Sequence, residues 1–409
     1  MSERHAPRSE VFPAVSGTEL SSEGSARSEL SSGGSASIAA AMDRVLAHMV
    51  KIDASDVYIT AGSPPVFRVS GQGHAGKMAL DAKQVHEMAE SLMSPAQRAE
   101  FASALEMNLA VHRGSEGRFR VNVFRQRGAT GMVVRLVRTK IQTLDELAHP
   151  KILKDIALSR RGLVLLVGGT GSGKSTTLAA MIDHRNAVET GHIVTVEDPI
   201  EFIHPHKKCV ITQREVGIDT LSYAHALKNT LRQAPDLILI GEIRDQETME
   251  AALAFAETGH LCLSTLHANN SNQAMERILS FFGPDRHHEI KLQLSLNLRG
   301  IVSQRLVRST SGGRAAALEI LLDTPRIKDL LKRGDVDGIK DAMVQGANEG
   351  CQTFDMALAD LTFQKRISRE DALQAADSPN DLRLRLERRL GVTSEGEAPL
   401  RLAPKKHGD

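Results

Sequence analysis

Residues 168–175, GGTGSGKS, put four glycines, a lysine and three hydroxyl side chains into eight positions. Glycine weakens helices and strands alike, so such a run serves a backbone that must come close to something. Gly168, Gly173, Lys174 and Ser175 satisfy G-x-x-x-x-G-K-[ST]. The apolar run Leu163 to Val167 before it predicts a buried strand, and Lys174 to about Asn186 after it predicts a helix. That context makes the motif a phosphate cradle. Backbone N–H groups of Gly168, Gly169, Thr170, Gly171, Ser172 and Gly173, with Ser175 and Thr176 at the helix start, would wrap a phosphate chain on the positive end of the helix dipole. Lys174 would reach the β- and γ-phosphates and Ser175 would ligate Mg²⁺, so the chemistry implied is that of ATP with Mg²⁺.

Hydrolysis needs more than a cradle: an acid to hold the metal, a base to orient water and a cation to neutralise charge. The stretch DLILIGE (236–242) is an apolar strand ending in Glu242, which projects at the carboxyl edge where open α/β sheets bind ligands. Gly241 stands where an Asp is usual, so this second acid motif is atypical. HIVTVEDPIEF (192–202) also runs from strand into acids, with Pro199 breaking the strand and Glu197, Asp198 and Glu201 expected in the loop. One of the three is suited to orient water, and residue type alone does not choose among them. GHLCLSTLHANN (259–270) brackets a third strand with His260 and His267. A strand-end histidine beside a γ-phosphate would sense nucleotide state, and a structural histidine would look the same in sequence.

The elements that position these groups follow from patterning. Strands are expected at 163–167, 193–196, 237–240, 261–266 and 315–320, alternating with helices, which predicts a parallel α/β sheet. Asp245 caps one helix and Gly259 ends it. Upstream, an amphipathic helix (SIAAAMDRVLAHMVKI) precedes two strands around Gly-Ser-Pro-Pro. Asp81 caps a helix with Val85, Met88, Ala89 and Leu92 on one face, and Ser94, Pro95 and Gln97 start another. RFRVNVF alternates, with Arg118, Arg120 and Asn122 on one face and Phe119, Val121 and Val123 on the other; a second strand runs from Met132 to Val137. By pattern alone such an arginine row is a solvated strand face. The domains expected are a disordered Ser/Gly-rich tail at 1–37, a small α+β domain at 38–145, a nucleotide domain at 146–322, a helical region at 323–391 and a polar tail at 392–409.

Composition narrows the classes. A net charge of +1 gives no general attraction to nucleic acid or membrane surface. No Trp and 3% aromatics leave no base-stacking platform. Cys209, Cys262 and Cys351 form no C-x-x-C pair, so neither a zinc site nor a disulfide framework is expected, and a reducing cytoplasm suits them. No apolar run spans a bilayer, so direct membrane insertion is not expected.

In order along the chain, GGTGSGKS, VEDPIEF, LILIGEIRD and ETGHLCLSTLH resemble the Walker A, Asp box, atypical Walker B and His box of the type II/IV secretion superfamily of hexameric ATPases. RFRVNVF, GEIRDQETMEAALAFAETGHL and QTFDMAL are similar to its PilT/PilU branch, the retraction motors of type IV pili. ITQREVG, LKNTLRQAPD and TLHANNSNQA look more like PilU than PilT. The resemblance covers about residues 40–385. It implies a RecA-like P-loop nucleotide domain, a small N-terminal PAS-like α+β domain and a helical C-terminal region. It also implies Glu201 as the base for water, Glu242 as the metal-holding acid, and His260 and His267 as residues coupling nucleotide state to conformation.

Arg118, Arg120 and Arg135 match arginines that reach a neighbouring subunit's phosphates in such rings. A homohexamer, a PilT-type partner motor and an inner-membrane platform protein are the partners implied, with the chain in the cytoplasm at the pilus base. Two departures bear on this: Ala234 replaces an acid common in relatives, and RIKDLL (326–331) replaces the A-I-R-N-L-I helix of PilT. The second implies retraction with PilT rather than alone. Three other classes are weighed. Extension and secretion motors carry a longer N-terminal region and a four-cysteine module; a regulatory ring would bind ATP with little turnover; a nucleic-acid motor would need a basic tract.

Overall fold

The structure is a computed structural model that describes residues 35–69, 71–113, 117–137 and 140–390. The expected tails lie outside these residues, except for the first residues of the opening helix. The described residues divide into two compact units, one of those up to 111 with 121–135 and one of 112–120 with those from 136 onward.

In the first unit, α1 (Ser35–Lys51) leads to β1 (Asp56–Thr60), β2 (Val66–Val69) and β3 (Gln72–Ala75). Then come α2 (Ala82–Leu92), α3 (Pro95–Ala104), β4 (Glu106–Arg113), β5 (Gly117–Gln126) and β6 (Ala129–Val137), of which residues 112–120 and 136–137 count with the second unit. The expected cap at Asp81 and the expected capping box of Ser94 with Gln97 both form, and Asp81 also makes a capping box, with Gln84. The six strands are ordered β3-β2-β1-β6-β5-β4. Alternation in β5 buries Phe119, Val121 and Val123, as its period of two requires. β3 and β4 are additional to the expected strands. QGHA is polar and exposed along its length, and no apolar alternation marks it.

The second unit opens with α4 (Ile152–Ala157), β7 (Gly162–Val167), α5 (Lys174–Val188), β8 (Gly191–Glu197), β9 (Cys209–Glu215) and α6 (Tyr223–Thr230). It continues through β10 (Leu237–Ile240), α7 (Gln246–Glu257), β11 (Leu261–Leu266), α8 (Ser271–Ser280), α9 (His287–Asn297), β12 (Leu298–Arg308) and β13 (Arg314–Leu322). The chain then turns helical in α10 (Pro325–Arg333), α11 (Ile339–Gln345), α12 (Phe354–Phe363), α13 (Arg369–Ala375) and α14 (Pro379–Leu390). The seven strands are ordered β13-β12-β7-β11-β10-β8-β9. All neighbours are parallel except β12 and β13. Every residue of β7, β10 and β11 is buried, which is what a parallel sheet covered on both faces demands. β9 and β12 join the five strands expected from sequence. Their polar residues, Thr212, Gln213 and Arg214 in one and Gln304 and Arg305 in the other, hid them from an apolar criterion.

This is an α/β, RecA-like architecture with a helical C-terminal region. Its consequence for function is register. Val167 lies opposite Leu266, and Ile240 opposite both Ser264 and Val196. β7, β11, β10 and β8 therefore end together, and the loops that leave them share one edge.

Candidate nucleotide site

That edge forms a cleft of about 280 Å³, with Thr170, Gly171, Lys174 and Ser175 on one side and Glu201, Glu242, Arg244 and His267 among those facing them. β7 feeds the glycine loop and α5 begins at Lys174. Gly168, Gly171 and Gly173 take positive φ of 152°, 76° and 90°, which glycine adopts without strain. At Gly168 a Cβ would stand 2.5 Å from Ser172 Oγ and 2.6 Å from the Gln304 carbonyl oxygen. At Gly173 it would stand 2.7 Å from Gln304 Nε2. Gly173 caps α5 with no side-chain hydrogen bond, so that helix start is open to an anion. The residues present thus fit a polyphosphate.

Lys174 Nζ donates to the carbonyl oxygens of Gly168 (2.8 Å) and Gly169 (3.1 Å). Burial holds this ammonium below the ordinary lysine range, while the charges of Glu242 and Glu201 act the other way. Ser175 is half-buried at the cleft wall; Thr176, next to it in the first turn of α5, is half-buried too but does not line the cleft. Gly168 and Gly169 border an adjoining hollow with His267, Ala268 and Asn269. Ser172 is buried, and its hydroxyl has no hydrogen-bond partner among the described residues. Behind the loop, Thr177 donates to Gln304 Oε1 (2.8 Å). With its one proton so used, Thr177 accepts from His149 Nε2 (2.9 Å). Burial, with Arg366 nearby, pushes His149 down to about 4 and keeps it neutral.

The acids separate by environment. Glu242 Oε1 lies 2.8 Å from His267 Nε2, and its Oε2 accepts from Arg244 Nε at 2.6 Å. Arg244 also reaches Asp198 at 3.6 Å. Glu197 is the last residue of β8, not a loop residue as expected, because the strand continues to the residue before Asp198. It is buried, with Thr195 Oγ1 donating to it at 2.6 Å. Burial pushes its carboxyl up to about 7, against the hydrogen bonds from Thr195 and Gln213. Glu201 follows the cis Asp198–Pro199 bond and lines the cleft exposed. A buried acid whose carboxyl is raised and an exposed one at the cleft suit different tasks.

Not every expected residue arrives. His260 precedes β11, at the end of the strand away from the cleft, and contacts Thr258 Oγ1 (3.1 Å) and the Phe255 carbonyl (3.3 Å). Six residues of strand put it roughly 20 Å from His267. The two histidines that bracket one strand in sequence therefore sit at opposite edges of the sheet. Arg118 Nη2 and Arg120 Nε pair with buried Glu215 at 3.3 and 3.0 Å, within the second unit. Arg135 Nε pairs with Asp56 at 2.8 Å, within the first. None of the three lines the cleft of its own chain. Conversely, Tyr223 and Arg244 line the cleft without having been singled out. Arg244 belongs to the GEIRD block, and nothing in the sequence marked Tyr223.

Among the described residues no helix is long and apolar enough to cross a membrane, and no cluster of three or more His, Cys, Asp or Glu gathers to hold a metal by itself. A cation here would depend on Ser175, Glu242, waters and the nucleotide.

Comparison with known proteins agrees with this geometry. Residues 31–376 match the family model described as type II/IV secretion system protein. The chain is 52% identical over 357 residues to the type IV pilus ATPase PilU of Pseudomonas aeruginosa, covering 87% of this chain and 93% of that one. It is 41% identical over 338 residues to the PilT ATPase of type IV pilus retraction from the same organism, covering 82% and 98%. Among solved structures, the pilus retraction motor PilT with bound ADP superposes with a TM-score of 0.78 at 36% identity, covering 83% of this chain and 98% of that one.

Proposed function

The chain belongs to the type II/IV secretion system protein family, and from that premise we propose that it is a motor coupling ATP hydrolysis to type IV pilus retraction. It is an ATPase of the PilT/PilU branch, with greater identity to PilU than to PilT of P. aeruginosa. The observation that carries the reading is the convergence of Lys174, Glu201, Glu242 and His267 on one cleft from separate strand ends.

Each residue's part follows from its position. The loop N–H groups and Lys174 hold the phosphates, the ammonium leaving the Gly168 and Gly169 carbonyls for phosphate oxygens. Ser175 and Glu242 would hold Mg²⁺, which would supply positive charge to offset that of the phosphates. Glu201, exposed at the cleft, orients water and takes its proton. His267 shares a hydrogen bond with Glu242, so a change in the ligands of that acid is transmitted to the loop ahead of α8. His260 has no part at this edge of the sheet.

In this reading the chain works in the cytoplasm as a ring of six. Arg118, Arg120 or Arg135 reaches a neighbour's phosphates, and the ring acts with a PilT-type motor on the platform protein in the inner membrane. The names of the relatives support the link to pilus retraction, and the PilU-like blocks support a PilT-type partner motor. A deletion strain tests it: cells should keep their surface pili, in normal or excess number, and lose twitching motility or force under load. Bald cells by electron microscopy would assign the chain to extension. Unchanged pili with normal twitching would remove it from pilus dynamics.

A further inference from the structure

β10 ends at Ile240, and the next residue, just ahead of Glu242, is Gly241, a glycine where an acidic side chain is usual. A Cβ at Gly241 would stand 2.8 Å from Tyr223 Oη, 3.2 Å from Glu197 Cα and 3.3 Å from the Val196 carbonyl oxygen. Tyr223 opens α6, directly after its cap Ser222. Its ring reaches over the end of β10, so the hydroxyl occupies the space into which a side chain at position 241 would project. Tyr223 Oη is buried at the cleft wall, and among the described residues it has no hydrogen-bond partner. A buried hydroxyl left unpaired is costly, so this one calls for a partner that comes with a ligand.

The surroundings select that partner. Asp198, Arg244, Glu197 and Glu242 are the ionisable groups that surround the phenol. Three carboxyls against one guanidinium make a poor seat for a phosphate oxygen and a good one for water polarised by a cation. We propose that the Tyr223 hydroxyl replaces the absent acid at position 241 and accepts a hydrogen bond from a water in the coordination shell of the cation that enters with the nucleotide. Tyr223 is then a positioning residue that holds the cation beside Glu242. The inference rests on the reading of the cleft as a magnesium–nucleotide site.

The chain provides its own probe, since it has no Trp and only two tyrosines, Tyr58 and Tyr223. In the full-length Tyr58→Phe variant, Tyr223 is the one tyrosine emitter. Mg²⁺ is titrated into this protein saturated with a non-hydrolysable ATP analogue, and emission is followed. A change that requires Mg²⁺ is expected. A change with analogue and chelator alone would place a phosphate oxygen on the hydroxyl and overturn the proposal, as would no change at all.

In parallel, Tyr223→Phe keeps the ring and its packing, and an unchanged unfolding midpoint confirms the fold. It should need about 5-fold more Mg²⁺ than the unaltered chain to reach half-maximal binding of a fluorescent ATP analogue. Equal Mg²⁺ demand in the two proteins would sink the role of Tyr223 and leave the cleft reading intact. Failure of the unaltered chain to bind the analogue with Mg²⁺ would instead overturn the cleft reading and the inference with it.

Discussion

Glu197 and Glu201 lie four positions apart, and the fold makes them different acids. Glu197 is buried with its carboxyl raised to about 7, while Glu201 faces solvent in the cleft. The raised value has a sign that can be tested. A folded state that binds the proton more tightly than the unfolded chain is favoured at low pH, and that contribution is lost as pH climbs from the unfolded value of 4.5 through about 7. Glu197→Gln can keep the hydrogen bonds from Thr195 and Gln213 without the charge. Measured by urea unfolding, its stability relative to the unaltered chain should improve by up to ~3 kcal/mol between pH 5 and pH 8. A difference that does not vary with pH would show that Glu197 is charged throughout.

Residue-scale legibility was uneven for a physical reason. The phosphate loop is contiguous and spelled out by spacing. The three acids at and beyond the end of β8 are visible in sequence as a set, but burial, which separates them, is a property of the sheet. The Tyr223 hydroxyl meets Gly241 only through folding, so no local pattern announces it.

At the scale of elements, the site depends on a loop pinned from behind. Gln304 of β12 presents its backbone oxygen near Gly168 and its amide near Gly173, and Thr177 of α5 donates to that amide's oxygen. A methyl at position 168 therefore meets backbone that cannot swing aside, at a φ of 152° that side chains avoid. Gly168→Ala should destabilise the protein by about 1–3 kcal/mol in thermal or urea unfolding. Gly169→Ala, whose Cβ would meet nothing within 4 Å, serves as the control and should stay within about 0.5 kcal/mol of the unaltered chain. Equal losses would mean that the loop is not held by β12. The parallel strands at 163–167, 237–240 and 261–266 were legible because full burial leaves unbroken apolar runs. β12 was not, since Ser303, Gln304 and Arg305 interrupt it, and with it went the element that braces the loop. The helix starts at Asp81, Ser94 and Asp245 were legible because caps are local chemistry.

For the whole molecule, the arginines carry the question of assembly. Arg118 and Arg120 neutralise buried Glu215, and Arg135 pairs with Asp56, so any reach into another copy must exchange these partners. If one acts across a ring, Arg118→Ala or Arg135→Ala subunits mixed with Lys174→Ala subunits should recover part of the lost turnover. Some interfaces then join an intact cleft to an intact arginine. No recovery at any ratio, in rings shown to be mixed, would confine the arginines to the ion pairs seen within the chain. The family and its α/β architecture were legible in the order of four motifs, whereas these pairings link residues about a hundred positions apart and no spacing rule reaches that far. The central claim is that this cleft hydrolyses ATP. Its most direct test is steady-state ATP turnover with Mg²⁺ by the purified full-length chain beside its Lys174→Ala and Glu201→Gln variants, each shown by thermal unfolding to be folded. Turnover by the unaltered chain, falling ~10²-fold or more in both variants, is the result predicted; turnover that survives either substitution would contradict it.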